Sequence, residues 1–272
     1  MTNFLSREFP MTEKNFQSIA KIAYEVTGIV LGNHKKDLVY SRISRRIRSL
    51  ELTNFNDYIN LIQDQNNQEF TSFVNSITTN LTSFFRESHH FDFLKSTAFP
   101  ELKKKGKSPL IWSAGCSTGE EPYSIAMTLD QFYPGGDFGG AKILATDLDS
   151  NVLNTGRRGV YEGSKIETLD KKLKRIYFRF NNDDVAVTEN LKENIQFNRL
   201  NLLGPWPMKK KFDIIFCRNV IIYFNKETQK ELFNRYSKML NQHGYLIIGH
   251  SENIHGFQDQ FESIGRTIYR KK

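Results

Sequence analysis

The residues best placed to do chemistry form a glycine-bearing turn, Ser113-Ala114-Gly115-Cys116-Ser117-Thr118-Gly119-Glu120-Glu121-Pro122, between the apolar run Leu110–Ala114 and the apolar helix pattern Tyr123–Phe132. Glycines at a strand-to-helix turn let the backbone approach a ligand closely, and open α/β sheets bind ligands outside the carboxyl ends of their strands. The spacing narrows the ligand. Gly115 and Gly119 are four apart instead of following G-x-G-x-x-G, and no Lys-Ser/Thr pair follows them as a P-loop requires. Glu120 and Glu121 open the helix where a pyrophosphate would otherwise sit, and they would repel it. The ligand is therefore expected to be cationic or zwitterionic at this end. A second run, Lys142–Asp147, ends in an acid 28 positions beyond Gly119, where a carboxylate accepts hydrogen bonds from a ribose diol, although an acid there also serves as a helix cap. S-adenosylmethionine meets these demands with a ribose for Asp147, a sulfonium and an α-amino group for Glu121, and no phosphate.

Other reactive side chains read as bland. His89 and His90 lack further metal ligands at suitable spacing, so no metal site is expected and both read as helix or interface residues. Cys116 and Cys217 form neither a disulfide framework nor a metal motif, which agrees with a reducing compartment; Cys217 reads as structural within a buried strand.

The elements that must position the turn follow from periodicity. From Pro109 onward, short apolar runs alternate with helical patterns, which argues for parallel strands joined by crossover helices. The predicted strands are Leu110–Ala114, Lys142–Asp147, Ile195–Asn201, Phe212–Arg218, Gly244–His250 and a last segment near Arg266–Arg270, making a doubly wound Rossmann-like α/β sheet. Ile176, Phe178, Phe180, Val185 and Val187 alternate with period two and predict a small antiparallel β subdomain at about 174–200. Residues 1–78 read as an all-helical N-terminal domain without strands. One stripe, Phe16, Ile19, Ala23 and Val26, follows Thr12 as N-cap; another, Phe55, Tyr58, Ile59 and Ile62, follows Thr53; a third holds Phe70, Phe73, Val74 and Ile77. Residues 79–90 form the linker, and residues 91–272 the larger domain.

Composition bounds the function. At 39% hydrophobic and 25% charged, the 272 residues describe a globular chain, and the longest apolar run, Ile214–Phe224, is interrupted by Arg218 and Asn219, short of the roughly 18 residues a membrane span needs. Residues 1–10 carry Arg7 and Glu8 without the apolar core of a secretory signal, so a cytoplasmic protein with no direct membrane insertion is expected. The net charge of +8 suggests an acidic partner without naming it. Much of the excess lies between Lys35 and Arg48, where Lys35, Lys36, Arg42, Arg45, Arg46 and Arg48 face one acid, Asp37. Val39, Ile43, Ile47 and Leu50 form the apolar stripe of that helix, while Arg42, Arg45 and Arg48 step by three along another face. This basic face is either a solvated surface or a docking surface for an acidic partner.

Four separated segments carry a resemblance: Asn80-Leu81-Thr82-Ser83-Phe84-Phe85-Arg86-Glu87, then Trp112–Ser124, then Phe216-Cys217-Arg218-Asn219-Val220-Ile221-Ile222-Tyr223-Phe224, and Gly249-His250-Ser251-Glu252-Asn253. In this order, and over nearly the whole chain, they resemble the CheR family of chemotaxis receptor methyltransferases. The resemblance implies methyl transfer from S-adenosylmethionine to glutamate side chains on the cytoplasmic helices of chemoreceptors, giving glutamate methyl esters and S-adenosylhomocysteine. Beside Gly115 of the turn read above, it assigns cofactor contacts to Asn80, Thr82, Arg86, Glu121, Asp147, Asn201, Leu202, Arg218 and Asn219, and puts Arg86 and Tyr223 nearest the transferring methyl. The basic face read above, Arg42, Arg45 and Arg48, is expected to be the surface that docks on the receptor helices. His250 is expected to help shape the pocket.

A glutamate carboxylate with a pKa near 4.3 is already ionised at pH 7, so direct displacement needs no general base. Arg86 is expected to align cofactor and acceptor, and Tyr223 to hydrogen-bond beside the acceptor. Two alternatives differ in class: an RNA methyltransferase, for which the basic charge argues but no Asn/Asp-Pro-Pro-aromatic segment or Pro-Cys pair does, and a non-catalytic cofactor-binding scaffold, against which Arg86, Asn219 and Tyr223 stand. No nucleic-acid partner is expected. In the family, a longer glycine-containing tip of the antiparallel subdomain can hold a peptide tethered at the receptor's C-terminus; here Phe180–Val185 is short, lacks glycine and carries Asp183 and Asp184, so docking without a tether peptide is expected.

Overall fold

The computed structural model describes residues 7–135, 137–254 and 256–272; the first six residues of the segment read above for a secretory signal lie outside them. Two compact units divide the chain: one runs to Thr79 and includes Tyr223–Asn225, the other holds Asn80–Ile222 and Lys226–Lys272.

Four amphipathic helices build the first unit: α1 (Glu13–Thr27), α2 (Lys36–Ser49), α3 (Phe55–Gln63) and α4 (Gln68–Ile77). Thr12 caps α1 through a reciprocal pair: its hydroxyl accepts from the Asn15 N–H at 3.1 Å, while Asn15 Oδ1 accepts from the Thr12 N–H at 3.0 Å. Gly28, at φ 73°, ends α1 in the left-handed region. The cap of α3 is Asn54, whose Oδ1 accepts from the Asp57 N–H at 3.0 Å; the expected Thr53 sits one residue too early to reach that donor. Phe16, Ile19, Val39, Ile43, Ile47, Phe55, Tyr58, Ile62, Phe73 and Val74 close the core. Within it, Glu69 of α4 is buried, accepting from Arg46 Nε at 2.9 Å and from the Tyr58 hydroxyl at 2.8 Å.

The second unit opens with the linker and a helix whose turns run through α5 (His89–Phe93), a π-helical turn Leu94–Ala98, and α6 (Phe99–Lys104). Its strands and helices then alternate: β1 (Leu110–Ala114), α7 (Glu120–Phe132), β2 (Lys142–Asp147), α8 (Ser150–Arg158), β3 (Val160–Glu162), α9 (Lys171–Tyr177), β4 (Phe178–Asn181), β5 (Asp184–Val187), α10 (Glu189–Lys192), β6 (Ile195–Arg199), β7 (Phe212–Cys217), α11 (Lys226–Met239), β8 (Leu240–Ile248), β9 (Phe261–Gly265) and β10 (Ile268–Lys271). The main sheet has the order β6-β2-β1-β7-β8-β10-β9, with β6 through β8 parallel and the β9–β10 hairpin antiparallel at one edge. Strand order reverses between β1 and β7, which is where such a sheet opens a ligand crevice. The expected strands at β1 and β2 form with the expected bounds. β6 and β7 stop two and one residues earlier than expected, β8 begins four residues earlier, and β9 was not anticipated.

One face of the sheet packs Ile111, Ile143, Ala145, Ile214 and Phe216 against α7 and the α5–α6 segment; Trp112, on the other face, meets Trp206 at 4.8 Å and Tyr236 of α11 at 5.5 Å between ring centroids. The small antiparallel sheet has the order β3-β5-β4, so its third strand comes from residues 160–162, while β6 joins the main sheet. β4 and β5 are joined by the two-residue turn Asn182–Asp183, with Asn182 at φ 52°. Asn tolerates the positive φ such turns demand, which lets the tip close without glycine.

Candidate active site

The crevice is built at the carboxyl ends of β1, β2 and β7. After β1 the chain turns through Gly115 (φ 87°), Ser117 (φ 49°) and Gly119 (φ 98°). A Cβ on Gly115 would stand 2.3 Å from Val220 Cγ2, so only glycine fits there. The turn is pinned from β2: the N–H groups of Gly115 and Cys116 donate to the Thr146 carbonyl at 2.8 and 2.9 Å.

Asp147, at the end of β2, holds the turn as well. Its Oδ2 accepts from the Ser117 N–H at 2.8 Å and its Oδ1 from the Asp149 N–H at 3.0 Å. Each carboxylate oxygen keeps a second acceptor site. Enclosure by protein pushes this carboxyl up to about 6, against the lowering by its backbone donors. Asp149 caps α8, accepting from the Asn151 N–H at 2.8 Å, and also accepts from Asn80 Nδ2 at 2.9 Å. Asn80 therefore joins the glycine turn, because its carbonyl also accepts from the Ser117 hydroxyl at 3.2 Å.

Glu121, in the first turn of α7, is buried. It accepts from the Ser113 hydroxyl at 2.7 Å and from Arg218 Nη1 at 3.0 Å. Burial pushes its carboxyl up, opposed by Arg218 and Ser113. Arg218 is itself buried, and its Nη2 donates to the Arg86 carbonyl and lies 3.6 Å from Glu87 Oε2. The linker is thus tied to the crevice through Arg218. Phe84 anchors the same linker from below, meeting Tyr161 at 5.2 Å and Phe178 at 5.3 Å. Arg86 is half-buried, with Nη1 donating to the Leu81 carbonyl at 2.8 Å. Thr82 is half-buried in this linker.

Beyond β6, the Asn201 side chain accepts from the Leu203 N–H at 3.0 Å, and the buried Leu202 offers its carbonyl to Arg235 Nη1 at 2.7 Å and Trp206 Nε1 at 3.1 Å. Asn219 follows β7 at φ 59°. Tyr223 is half-buried in the first unit: its carbonyl accepts from the Val30 N–H at 2.9 Å, and Lys35 Nζ sits 5.1 Å from its ring centroid. In the same unit α2 presents its arginines unequally. Arg42 donates to the Thr78 carbonyl at 2.7 Å, Arg48 is ion-paired with Glu8, and Arg45 is exposed.

Three features escaped the sequence reading. Glu252 receives five backbone N–H groups, from Asn219, Val220, Ile221, Ile222 and Gly249, at 2.6–3.3 Å. Glu87 lies 3.0 Å from His250 Nδ1, which gives His250 a definite partner. Glu87 also comes close to both histidines of α5, so that ligating atoms of Glu87, His89 and His90 lie within 4.8 Å of one another. His90 is fully buried with Nε2 3.0 Å from the Thr267 hydroxyl, and burial holds it neutral, at about 3. Cys116 and Cys217 are buried, and burial raises both thiols well above their ordinary range.

A glycine turn at a switch point, an acid ending the second strand and a buried glutamate opening the next helix define the crevice of a Rossmann-like, S-adenosylmethionine-dependent methyltransferase. The donor set fits that cofactor: Asp147 retains acceptor capacity for a ribose diol, and Glu121 supplies a buried carboxylate for an ammonium group. Residues 80–270 match the family model described as CheR methyltransferase, SAM binding domain, and residues 14–78 match CheR methyltransferase, all-alpha domain. The chain is 40% identical over 271 residues to the chemotaxis protein methyltransferase of Escherichia coli, covering 97% of this chain and 93% of that one. It is 42% identical over 273 residues to chemotaxis protein methyltransferase 2 of Pseudomonas aeruginosa, covering 98% and 96%. With the chemotaxis protein methyltransferase of Borreliella burgdorferi the identity is 41% over 270 residues, covering 96% and 95%. The chain belongs to the CheR methyltransferase family.

Proposed function

We propose that the protein methylates glutamate side chains on the cytoplasmic helices of chemoreceptors, producing glutamate methyl esters and S-adenosylhomocysteine. The observation that carries this reading is Arg218, whose buried guanidinium joins Glu121 of the glycine turn to the main chain of Arg86. It is supported by relatives named for chemotaxis methylation at about 40% identity. When bound, S-adenosylmethionine supplies an electrophilic methyl carbon and leaves as the neutral thioether.

The protein's own residues then have to orient and shield. Asp147 takes the ribose hydroxyls, Glu121 the α-amino group, and Asn80, Thr82, Gly115, Asn201, Leu202, Arg218 and Asn219 complete the cofactor contacts. Arg86 aligns cofactor and acceptor carboxylate, and Tyr223 hydrogen-bonds beside the acceptor. No residue is required to move a proton, because the acceptor carboxylate is ionised at neutral pH. Alignment of two bound reactants can lower the barrier by roughly 7–11 kcal/mol.

The protein is proposed to work in the cytoplasm on membrane-bound receptors, without nucleic acid and without a tether peptide; among the described residues no helix is long and apolar enough to cross a membrane. Incubation with methyl-labelled cofactor and receptor-bearing membranes should put label on the receptor, and mild alkali should release it as methanol. Label that survives alkali, or that enters RNA instead, would overturn the ester reading.

A further inference from the structure

Glu252 stands 33 residues from Asn219 in sequence, yet its two oxygens collect five main-chain donors and, among the described residues, no side-chain cation. Oε1 accepts from the N–H groups of Val220 at 3.0 Å, Ile221 at 2.8 Å and Ile222 at 3.3 Å. Oε2 accepts from those of Asn219 at 3.0 Å and Gly249 at 2.6 Å. The residue is 6% exposed, so four successive amides of one loop are satisfied by a single buried carboxylate. A loop whose donors would otherwise need water is thereby held in one conformation.

What that conformation holds is specific. Asn219 sits at φ 59°, in the left-handed region that asparagine tolerates better than other side-chain-bearing residues, and the Glu252 carboxylate fixes it there through the Asn219 N–H. Val220 lies against Gly115, where a Cβ would meet its Cγ2 at 2.3 Å. Gly249 lies under Asn219, and a Cβ there would meet Asn219 Nδ2 at 2.6 Å and its N at 2.9 Å. The loop is thus clamped between the cofactor turn and the end of β8, and the chain continues directly into Tyr223.

We propose that Glu252, with Gly249 beneath it, is a positioning residue for methyl transfer: it sets the loop Asn219–Ile222 so that Asn219 meets the cofactor and Val220 seats the Gly115 turn. This rests on the cofactor reading of the site. Glutamine at 252 keeps the shape but offers one acceptor oxygen, and its NH₂ must face N–H donors on the other side. The loop then loses either the Asn219–Gly249 arm or the Val220–Ile222 arm.

The test compares the full-length protein with Glu252→Gln, Glu252→Asp and Gly249→Ala, at a temperature where circular dichroism shows each folded. Hydrogen exchange should be at least tenfold faster at amides 219–222 in Glu252→Gln. S-adenosylhomocysteine affinity should fall about tenfold and kcat more than tenfold, with the receptor KM little changed. Glu252→Asp, which keeps the carboxylate, should recover part of both losses. Gly249→Ala, with Glu252 intact, should move Asn219 and reproduce the affinity loss, which keeps the test decisive if the glutamine variant does not fold. A merely structural Glu252 would lower Tm while leaving Kd and kcat of the folded variants within twofold, and that result overturns the proposal. Failure of the parent protein to bind S-adenosylhomocysteine would sink the cofactor reading, while the exchange rates would still decide whether Glu252 holds the loop.

Discussion

Arg218 Nη1 stands 3.0 Å from Glu121 Oε2, and the two residues are only 6% and 8% exposed, so the end of β7 and the start of α7 meet as a buried ion pair. Removing one charge from such a pair strands the other in a poorly solvated place, at a cost of about 3–5 kcal/mol. Arg218→Met should therefore lower Tm sharply and abolish cofactor binding. Adding Glu121→Leu should recover much of the stability, since the stranded carboxylate is gone, but none of the binding. Thermal unfolding and calorimetry on the single and double variants check this; recovery of binding in the double variant would remove Glu121 from the cofactor site.

Asp147, as the proposed ribose ligand, should tie S-adenosylhomocysteine affinity to pH. Its folded pKa, raised by burial from 3.8 to about 6, means that the protonated carboxyl, a weaker acceptor, dominates below that value. Affinity should rise between about pH 5 and 7 and level off above. The stability effect has the opposite sign: a raised folded pKa favours the folded state fully below 3.8, and that contribution is lost as pH climbs through about 6. Asp147→Asn should flatten the affinity profile. A parent profile without an inflection in this window would contradict the assignment.

Much of this architecture was legible because it rests on local rules. β1 and β2 are short apolar runs ending in turn residues, and the helices of the first unit carry stripes whose members are buried apart from Val26 and Leu50, which are half-buried near the helix ends. The rest depends on partners remote in sequence. Glu252 was visible only as part of a motif, since its five donors come from a loop and a strand end that folding brings to it. Arg42, Arg45 and Arg48 share a helical step of three, yet Thr78 and Glu8 occupy two of them, and nothing in the spacing distinguishes Arg45. β9 was missed because Glu262 and Ser263 interrupt its apolar pattern, as suits an edge strand.

Gly115→Ala should separate steric from torsional cost. The added methyl would stand 2.3 Å from Val220 Cγ2 at a backbone φ of 87°. Cofactor affinity should fall at least tenfold. Val220→Ala in the same chain should recover the steric part only, leaving about 1–2 kcal/mol of torsional strain. Unchanged affinity in Gly115→Ala would show that the turn is free to relax and does not define the pocket.

Arg45 is the arginine of α2 on which a receptor contact can be tested without breaking the helical unit. Arg42 is half-buried and bonded to the Thr78 carbonyl, so reversing its charge would disturb the fold, and reversing Arg48 would first break its pair with Glu8. Arg45 is exposed, on a helix whose opposite stripe, Val39, Ile43 and Ile47, is buried. If α2 docks on an acidic helical bundle, Arg45→Glu should raise the receptor KM several-fold while leaving S-adenosylhomocysteine affinity and Tm alone. The parent KM should also rise with salt as the Debye length falls below about 8–10 Å. The tight Asn182–Asp183 turn between β4 and β5, flanked by Asp184, offers a poor platform for a carboxylate-ended peptide, since like charges oppose docking. Receptors lacking their last five residues should consequently be methylated within about threefold of the intact ones. A large loss with the truncated receptor, together with normal kinetics for Arg45→Glu, would move the docking surface from α2 to the small antiparallel sheet.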